Sequence, residues 1–145
     1  MSPPLLRLSD ALAGKVLKAA AEAYPEECCG LIEGVETAEG WRVCAIHAAA
    51  NLAEDRFTRF LIDPQIQFDL LRHLRGTERR ILGCFHSHPD GVAAPSATDL
   101  ASAHEEDFLW LIAAGSPEAG FTLKAYRLWD GGFAAIAVSD DESGE

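Results

Sequence analysis

Long apolar runs are missing from this sequence. Nowhere in its 145 residues does a hydrophobic stretch approach the roughly 20 residues that a helix needs to cross a bilayer. Residues 1–6 also lack the basic segment and long apolar core of a secretory signal. These absences predict a protein with no membrane segment and no secretion signal.

Basic residues are also few: 12 Lys and Arg stand against 23 Asp and Glu, a net charge of -11. Nucleic acid and anionic membrane surfaces are bound through basic patches, so we expect neither as a partner. Part of the acidic excess lies in residues 140–145, which we predict to be a disordered acidic tail. Residues 1–139 are predicted to form a single domain, because the length suits one hydrophobic core and no internal repeat is present.

Disulfide bonds are not expected. The four cysteines, Cys28, Cys29, Cys44 and Cys84, include no Cys-x-x-Cys pair. A domain of this size can bury a sufficient core without a disulfide framework. We therefore predict reduced thiols and a cytoplasmic protein.

Hydrophobic periodicity predicts three helices and seven strands. Ser9 is a plausible N-cap for the first helix, and Asp63-Pro64 is typical of the start of the second. The expected fold class is α/β, with a mixed sheet flanked by helices. Helices are predicted at 10–23, 63–76 and 96–106, and strands at 29–35, 41–47, 56–62, 80–88, 108–114, 121–129 and 133–138.

Two histidines close the strand predicted at 80–88. His86 and His88 are two positions apart, so on a strand both side chains point to the same face. Asp99 follows after a short loop and can supply an oxygen ligand. Two histidines and one carboxylate leave the fourth position of a tetrahedral zinc ion open, as in a catalytic rather than a structural zinc site.

Ser96 and Asp99 also have a purely structural interpretation. Ser-x-x-Asp before a helix is typical of a capping box, in which the serine accepts from a backbone N–H and an acidic residue occupies the first turn. The two roles are compatible for Ser96, because its hydroxyl can also donate outward beside the open position. The pattern alone leaves Asp99 as a metal ligand or a cap.

Other candidates for the site are less specific. Cys84 shares the strand parity of the two histidines, but three ligands in that row would span about 13 Å, so we expect a buried thiol behind the site. His47, His73 and His104 have no such partner and are predicted to be structural or exposed. A zinc-activated water also needs a carboxylate base. Spacing leaves five candidates for that base: Glu22, Glu26, Glu27, Glu33 and Glu54.

Two segments together resemble a known signature. His86-Ser87-His88-Pro89, followed by Ser96-x-x-Asp99, resembles the JAMM signature of the MPN+ zinc metallopeptidases, and Glu27-x-Cys29-Gly30 resembles their Glu-x-Cys-Gly segment. The resemblance covers about residues 5–138 and is to the short prokaryotic members. It implies the MPN fold, a mixed sheet between helices similar to that of cytidine deaminases.

The resemblance also implies a role for each matched residue. His86, His88 and Asp99 would bind one zinc ion, Glu27 would be the general acid and base, and Ser96 would stabilise the oxyanion. The implied reaction is hydrolysis of a peptide or isopeptide bond at the C-terminal Gly-Gly tail of a ubiquitin-like protein. For the short prokaryotic members, the implied partner is a ubiquitin-like sulfur-carrier protein.

Three other functions are alternatives to this one. Amidohydrolase barrels also use His-x-His, but they need about 250 residues and eight βα units. A nucleoside deaminase would need a Pro-Cys-x-x-Cys segment, which this sequence lacks. The remaining alternative is a catalytically silent MPN-type scaffold that binds a protein partner, although every expected site residue is present.

Overall fold

The computed structural model describes residues 3–140, which form seven strands and three helices. In chain order they are β1 (Leu5–Arg7), α1 (Asp10–Ala23), β2 (Cys29–Thr37), β3 (Gly40–Ala49), α2 (Pro64–Leu74), β4 (Arg80–His88), α3 (Ala97–Ser102), β5 (Leu109–Ser116), β6 (Gly120–Trp129) and β7 (Gly132–Ser139).

The seven strands form a mixed, closed sheet in the order β1-β3-β2-β4-β5-β6-β7. Strand β1 closes the barrel by pairing in parallel with both β3 and β7. Strands β4 and β5 are also parallel, and the other neighbours are antiparallel. The predicted class, a mixed sheet with helices packed on it, is confirmed.

Two apolar layers hold the helices to the sheet. Val16 and Ala20 of α1 are buried in the main core with Ile32 and Phe85 from the central strands. On the other side, Leu70 and Leu74 of α2 form a smaller cluster with partners from β2 and β4. Helix α2 therefore covers the face of the sheet on which Leu31 of β2 and Ile81 of β4 lie.

Strand β4 is the central element for function. It lies between β2 and β5, and every residue from Ile81 to His88 is buried. Gly83 permits the close approach of β5, because a Cβ atom at this position would lie 1.9 Å from the Leu109 carbonyl oxygen. The strand carries its last residues, His86 and His88, to the end of the sheet.

Two predicted elements differ clearly from the structure. The strand expected at 56–62 is wrong: Asp55 accepts from the Phe57 N–H and the Thr58 hydroxyl, which forms a turn, and only Ile62 makes an isolated bridge, to Asn51. Helix α3 ends at Ser102 rather than near 106, where the sequence turns polar and offers no apolar side to bury.

Strand β1 was not predicted, because its three residues pair only with distant strands. The predicted acidic tail falls mainly on residues 141–145, which lie outside the described residues. Within residues 3–140, no helix has the length and apolar character to cross a membrane.

Candidate metal centre

His86 and His88 meet at the end of β4, as their spacing predicts. Both side chains are buried, and their Nε2 atoms lie 3.0 Å apart. Ser87, between them, points to the opposite side and accepts from the Cys28 N–H at 2.7 Å. That hydrogen bond joins the end of β4 to the start of β2.

Asp99 is brought to the histidines by its own helix cap. The Ser96 Oγ accepts from the Asp99 N–H at 3.0 Å, and the Ser96 N–H donates to Asp99 Oδ2 at 2.9 Å. The same Oδ2 lies 3.1 Å from the Nε2 atoms of both His86 and His88. The capping box and the approach to the histidines are therefore parts of one geometry, since the cap aims the carboxylate.

The hydrogen bonds of His88 are compatible with a cation among these three atoms. His88 Nδ1 lies 2.8 Å from the Val92 carbonyl oxygen, which can only accept, so Nδ1 carries a proton. His88 Nε2 faces the Asp99 carboxylate and can either donate a second proton to it or bind a metal ion. A cation bound between them would satisfy both, and the separations of 3.0–3.1 Å are near the ~3.4 Å expected between tetrahedral ligands with bonds of ~2.0–2.1 Å.

Glu27 stands beside the histidines, immediately before β2. Its ligand atom and those of His86 and His88 all lie within 4.8 Å of one another. Glu27 could therefore act as a ligand in place of Asp99, but the Asp99 oxygen is closer, at 3.1 Å from each histidine. The distances favour Asp99 as the third ligand and leave the Glu27 carboxylate free.

The surroundings of Glu27 favour the protonated form of its carboxyl. The side chain is buried, and its Oε1 has no hydrogen-bond partner among the described residues. Burial raises the pKa of Glu27 to about 8, against a smaller lowering by His88 and with further raising by Asp99, Asp90 and Asp55. Without a metal ion, this carboxyl therefore tends to keep its proton near neutral pH.

The three proposed ligands polarise one another. Burial opposes ionisation of Asp99, but the hydrogen bonds to His86 and His88 outweigh it and lower the pKa of Asp99 well below its usual range. Burial also opposes protonation of His88, yet Asp99 and the Val92 carbonyl raise the pKa of His88. Burial dominates at His86 and lowers the pKa of its imidazole. The centre thus offers the ionised carboxylate of Asp99 next to the neutral imidazole of His86.

A small cleft of about 140 Å³ opens over the centre. Its lining includes Phe57 and Thr58, from the segment before α2, and Val92 and Ala94, from the loop after β4. Glu27, His88 and Ser96 lie along the cleft. The cleft therefore gives a narrow ligand access to the side chains of Glu27, His88 and Ser96.

Two further residues, Phe60 and Asn51, hold the segment between β3 and α2 against the centre. Phe60 stacks on His86, with ring centroids 4.3 Å apart and planes at 22°. Asn51 donates to the backbone carbonyls of Glu27 and Arg59, and its Oδ1 accepts from the N–H groups of Ala53 and Leu61. These contacts fix the segment between β3 and α2 against the site, and they form only in the folded chain.

The remaining cysteine and histidine candidates lie elsewhere. Cys84 is buried, and burial raises the pKa of its thiol far above the usual range, so it is protonated. All four cysteines are free. His73 and His104 are exposed, and His47 pairs with Glu33.

Of the five glutamates considered, only Glu27 lies beside the histidines. Glu33 is paired with His47 and Arg79, and Glu26 is paired with Arg56. Glu22 and Glu54 are exposed. The structure thus separates the candidates that spacing alone leaves equal.

Comparison with known sequences identifies relatives over most of the chain. Residues 9–129 match the family Prok-JAB, described as prokaryotic homologs of the JAB domain. The desampylase of Haloferax volcanii is 29% identical over 113 residues, which cover 78% of each chain. The CysO-cysteine peptidase of Mycobacterium tuberculosis is 27% identical over 108 residues, 74% of this chain and 72% of that one.

Solved structures share the fold. A protein of Desulfitobacterium hafniense matches with a TM-score of 0.81 and 25% identity over 97% of this chain and 98% of that one. A Salinibacter ruber protein matches with a TM-score of 0.67 and 32% identity over 96% and 93%. A JAB1/MPN domain protein of Archaeoglobus fulgidus, 19% identical, has a TM-score of 0.52 over 95% and 98% and supports the fold alone.

Proposed function

The chain belongs to the family of prokaryotic homologs of the JAB domain, and from this membership we propose that it is a zinc-dependent peptidase or isopeptidase. In this proposal it hydrolyses a bond at the C-terminal Gly-Gly tail of a ubiquitin-like protein. One zinc ion is held by His86, His88 and Asp99. Glu27 acts as general acid and base, and Ser96 stabilises the oxyanion.

One observation carries the proposal. Three potential ligand atoms, His86 Nε2, His88 Nε2 and Asp99 Oδ2, lie 3.0–3.1 Å from one another. A separate buried carboxyl, that of Glu27, stands within reach of the same point. A structural metal site needs no unpartnered acid, whereas hydrolysis of an amide needs a group that moves a proton.

Glu27 and Ser96 have distinct tasks in this reaction. When bound, zinc lowers the pKa of a water molecule toward about 7 and polarises a carbonyl group. Glu27 accepts a proton from the attacking water and delivers it to the leaving nitrogen, a transfer suited to a carboxyl whose metal-free pKa is about 8. The Ser96 Oγ accepts from the Asp99 N–H, so its own proton is free to donate to the carbonyl oxygen.

The cleft supports a Gly-Gly segment as the part of the substrate next to the bond. Its volume of about 140 Å³ leaves little room for side chains. Phe57 and Val92, which both line the cleft, expose 57% and 54% of their surface and can contact a protein that presents its tail. A flexible chain end without side chains therefore fits better than a folded surface.

The partner we propose is a ubiquitin-like sulfur-carrier protein. The proposal draws on the relatives, one of which is a desampylase and another a peptidase acting on CysO-cysteine by its name. It also places the protein in the cytoplasm, where the free thiols would stay reduced.

The test uses a ubiquitin-like carrier extended beyond its Gly-Gly end by one amino acid or a short peptide. With zinc present, we expect the protein to release the extension and leave a mass that ends at the second glycine. A matched carrier that ends in Val-Val instead of Gly-Gly should be cleaved at least tenfold more slowly. Tight binding of the carrier without any cleavage would contradict the proposal and favour the scaffold.

A further inference from the structure

Residues 89–95, here called the cleft loop, follow β4 and line the cleft, and few hydrogen bonds hold them in place. Most of its residues are at least partly exposed. Its turn is formed by hydrogen bonds from the Gly91 N–H to the His88 carbonyl at 3.0 Å and from the Val92 N–H to Asp90 Oδ1 at 2.9 Å. Beyond this turn, hydrogen bonds to the Val92 and Ala93 carbonyls join the loop to β4 and β6.

Tyr126 provides the attachment to β6. This residue lies on β6, opposite Trp110 of β5, and its hydroxyl donates to the Ala93 carbonyl at 2.7 Å. Its ring also contacts Phe133 of β7, with centroids 6.4 Å apart. The hydroxyl therefore links the middle of the cleft loop to two strands of the barrel.

The loop, in turn, orients a proposed metal ligand. His88 Nδ1 donates to the carbonyl of Val92, the residue next to Ala93. A shift of the Ala93 carbonyl would displace this neighbouring acceptor and the cleft residues Val92 and Ala94. Groups that hold the second nitrogen of a ligating histidine commonly change metal affinity by about 10–100-fold when lost.

We propose that Tyr126 is a positioning residue for the site. Through the Ala93 carbonyl, its hydroxyl fixes both the width of the cleft and the orientation of the His88 imidazole. The part concerning the cleft rests on the proposed function, because it assumes that a carrier tail enters there. The part concerning His88 requires only that the site binds a metal ion.

The test is Tyr126→Phe, which keeps the ring against Phe133 and removes only the hydroxyl. Amide hydrogen exchange of residues 90–94 in the metal-free protein should become at least fivefold faster. Competition with a chromophoric chelator should show zinc binding weakened by about tenfold. With the extended carrier, KM should rise about fivefold, and kcat should change less than KM.

Tyr24→Phe is the matched control, since Tyr24 is the other of the two tyrosines and lies after α1, with an exposed ring. It should leave all three measurements within twofold of the wild type. If the wild-type protein cleaves no carrier, the proposed function fails, but loop exchange and zinc affinity still decide the role of Tyr126. Unchanged exchange and zinc affinity in Tyr126→Phe would overturn the inference, as would a loss of thermal stability with neither changed.

Discussion

At the scale of single residues, Asp99 combines two roles that the sequence leaves as alternatives. The Ser-x-x-Asp pattern predicts a cap and the preceding histidines predict a ligand, and the structure gives one carboxylate the geometry of both. Capping fixes the side chain before any ion binds. The position of this carboxylate is therefore largely determined by the first turn of α3.

Glu27 carries the proton in the proposed reaction, so its loss should affect turnover more than metal binding. We expect Glu27→Gln to bind zinc within about threefold of the wild type while kcat falls by about 10²–10⁴-fold. Carrier cleavage followed by mass spectrometry measures the rate, and elemental analysis measures the zinc. Glu26→Gln removes the neighbouring carboxylate that pairs with Arg56 and should keep kcat within threefold. Full activity in Glu27→Gln would assign the base elsewhere.

Glu33 should make the fold sensitive to acid. Burial opposes its ionisation, but hydrogen bonds from Arg79 and His47 outweigh burial and lower the pKa of Glu33 below its ordinary 4.5. A carboxyl with a lower pKa in the folded state stabilises the protein above the unfolded pKa. That contribution is lost as the pH falls from about 4.5, the pKa in the unfolded state, through the lower pKa of Glu33 in the folded state.

Urea unfolding measured from pH 7 down to pH 3.5 tests this role of Glu33. We expect Glu33→Gln to lower the free energy of unfolding at pH 7 by about 1–2 kcal/mol, because it removes a charged hydrogen-bond acceptor. The difference from the wild type should shrink toward pH 3.5. Glu36→Gln, an exposed change on the same strand, should have a much smaller effect. A difference between Glu33→Gln and the wild type that does not vary with pH would contradict this account.

At the scale of elements, local signals and distant contacts explain which predictions succeed. Strand β4 is predicted with its exact bounds because an apolar run ends in two histidines and a proline. The segment 56–62 has a similar aromatic and β-branched character, yet it is not a strand. The Asp55 carboxylate forms a turn at its start, and Asn51 hydrogen-bonds it beside the site. The apolar side chain of Phe60 in this segment stacks on His86 and is not part of a sheet.

Two glycines in different elements should respond in opposite ways to alanine. A Cβ atom at Gly83 would meet the Leu109 backbone, so we expect Gly83→Ala to cost about 3 kcal/mol by forcing β4 from β5. Gly14 in α1 has open space around it, so Gly14→Ala should stabilise the helix by about 0.5–1 kcal/mol. Chemical denaturation measures both changes. A neutral Gly83→Ala would show that the two strands separate easily.

At the scale of the whole molecule, the contacts that surround the candidate centre come from segments far apart in the chain. The motif indicates which residues could bind zinc, and the resemblance indicates Glu27 as the general acid and base. Neither indicates which other residues position these side chains. Tyr126 and Phe60 reach the site from β6 and from the segment after β3. Such contacts depend on tertiary packing and have no local pattern that sequence reasoning could detect.

Zinc should stabilise the whole fold, because the proposed ligands come from β4 and α3 and converge only in the native state. At a free zinc concentration of about 100 times Kd, mass action contributes about 2.7 kcal/mol, or a rise in Tm of about 5–10 °C. Thermal unfolding with zinc and with excess chelator measures this shift. An equal Tm under both conditions would indicate that the folded protein does not bind the ion.

The zinc content of the purified protein, measured by elemental mass spectrometry beside Asp99→Asn, tests the central claim most directly. Asparagine retains a polar side chain at the cap and removes the anionic ligand, while His73→Ala is the control for an exposed histidine. We predict about one zinc ion per chain in the wild type and in His73→Ala, and little in Asp99→Asn. A wild type that holds no zinc after zinc addition, or an Asp99→Asn variant that holds as much as the wild type, would contradict the account.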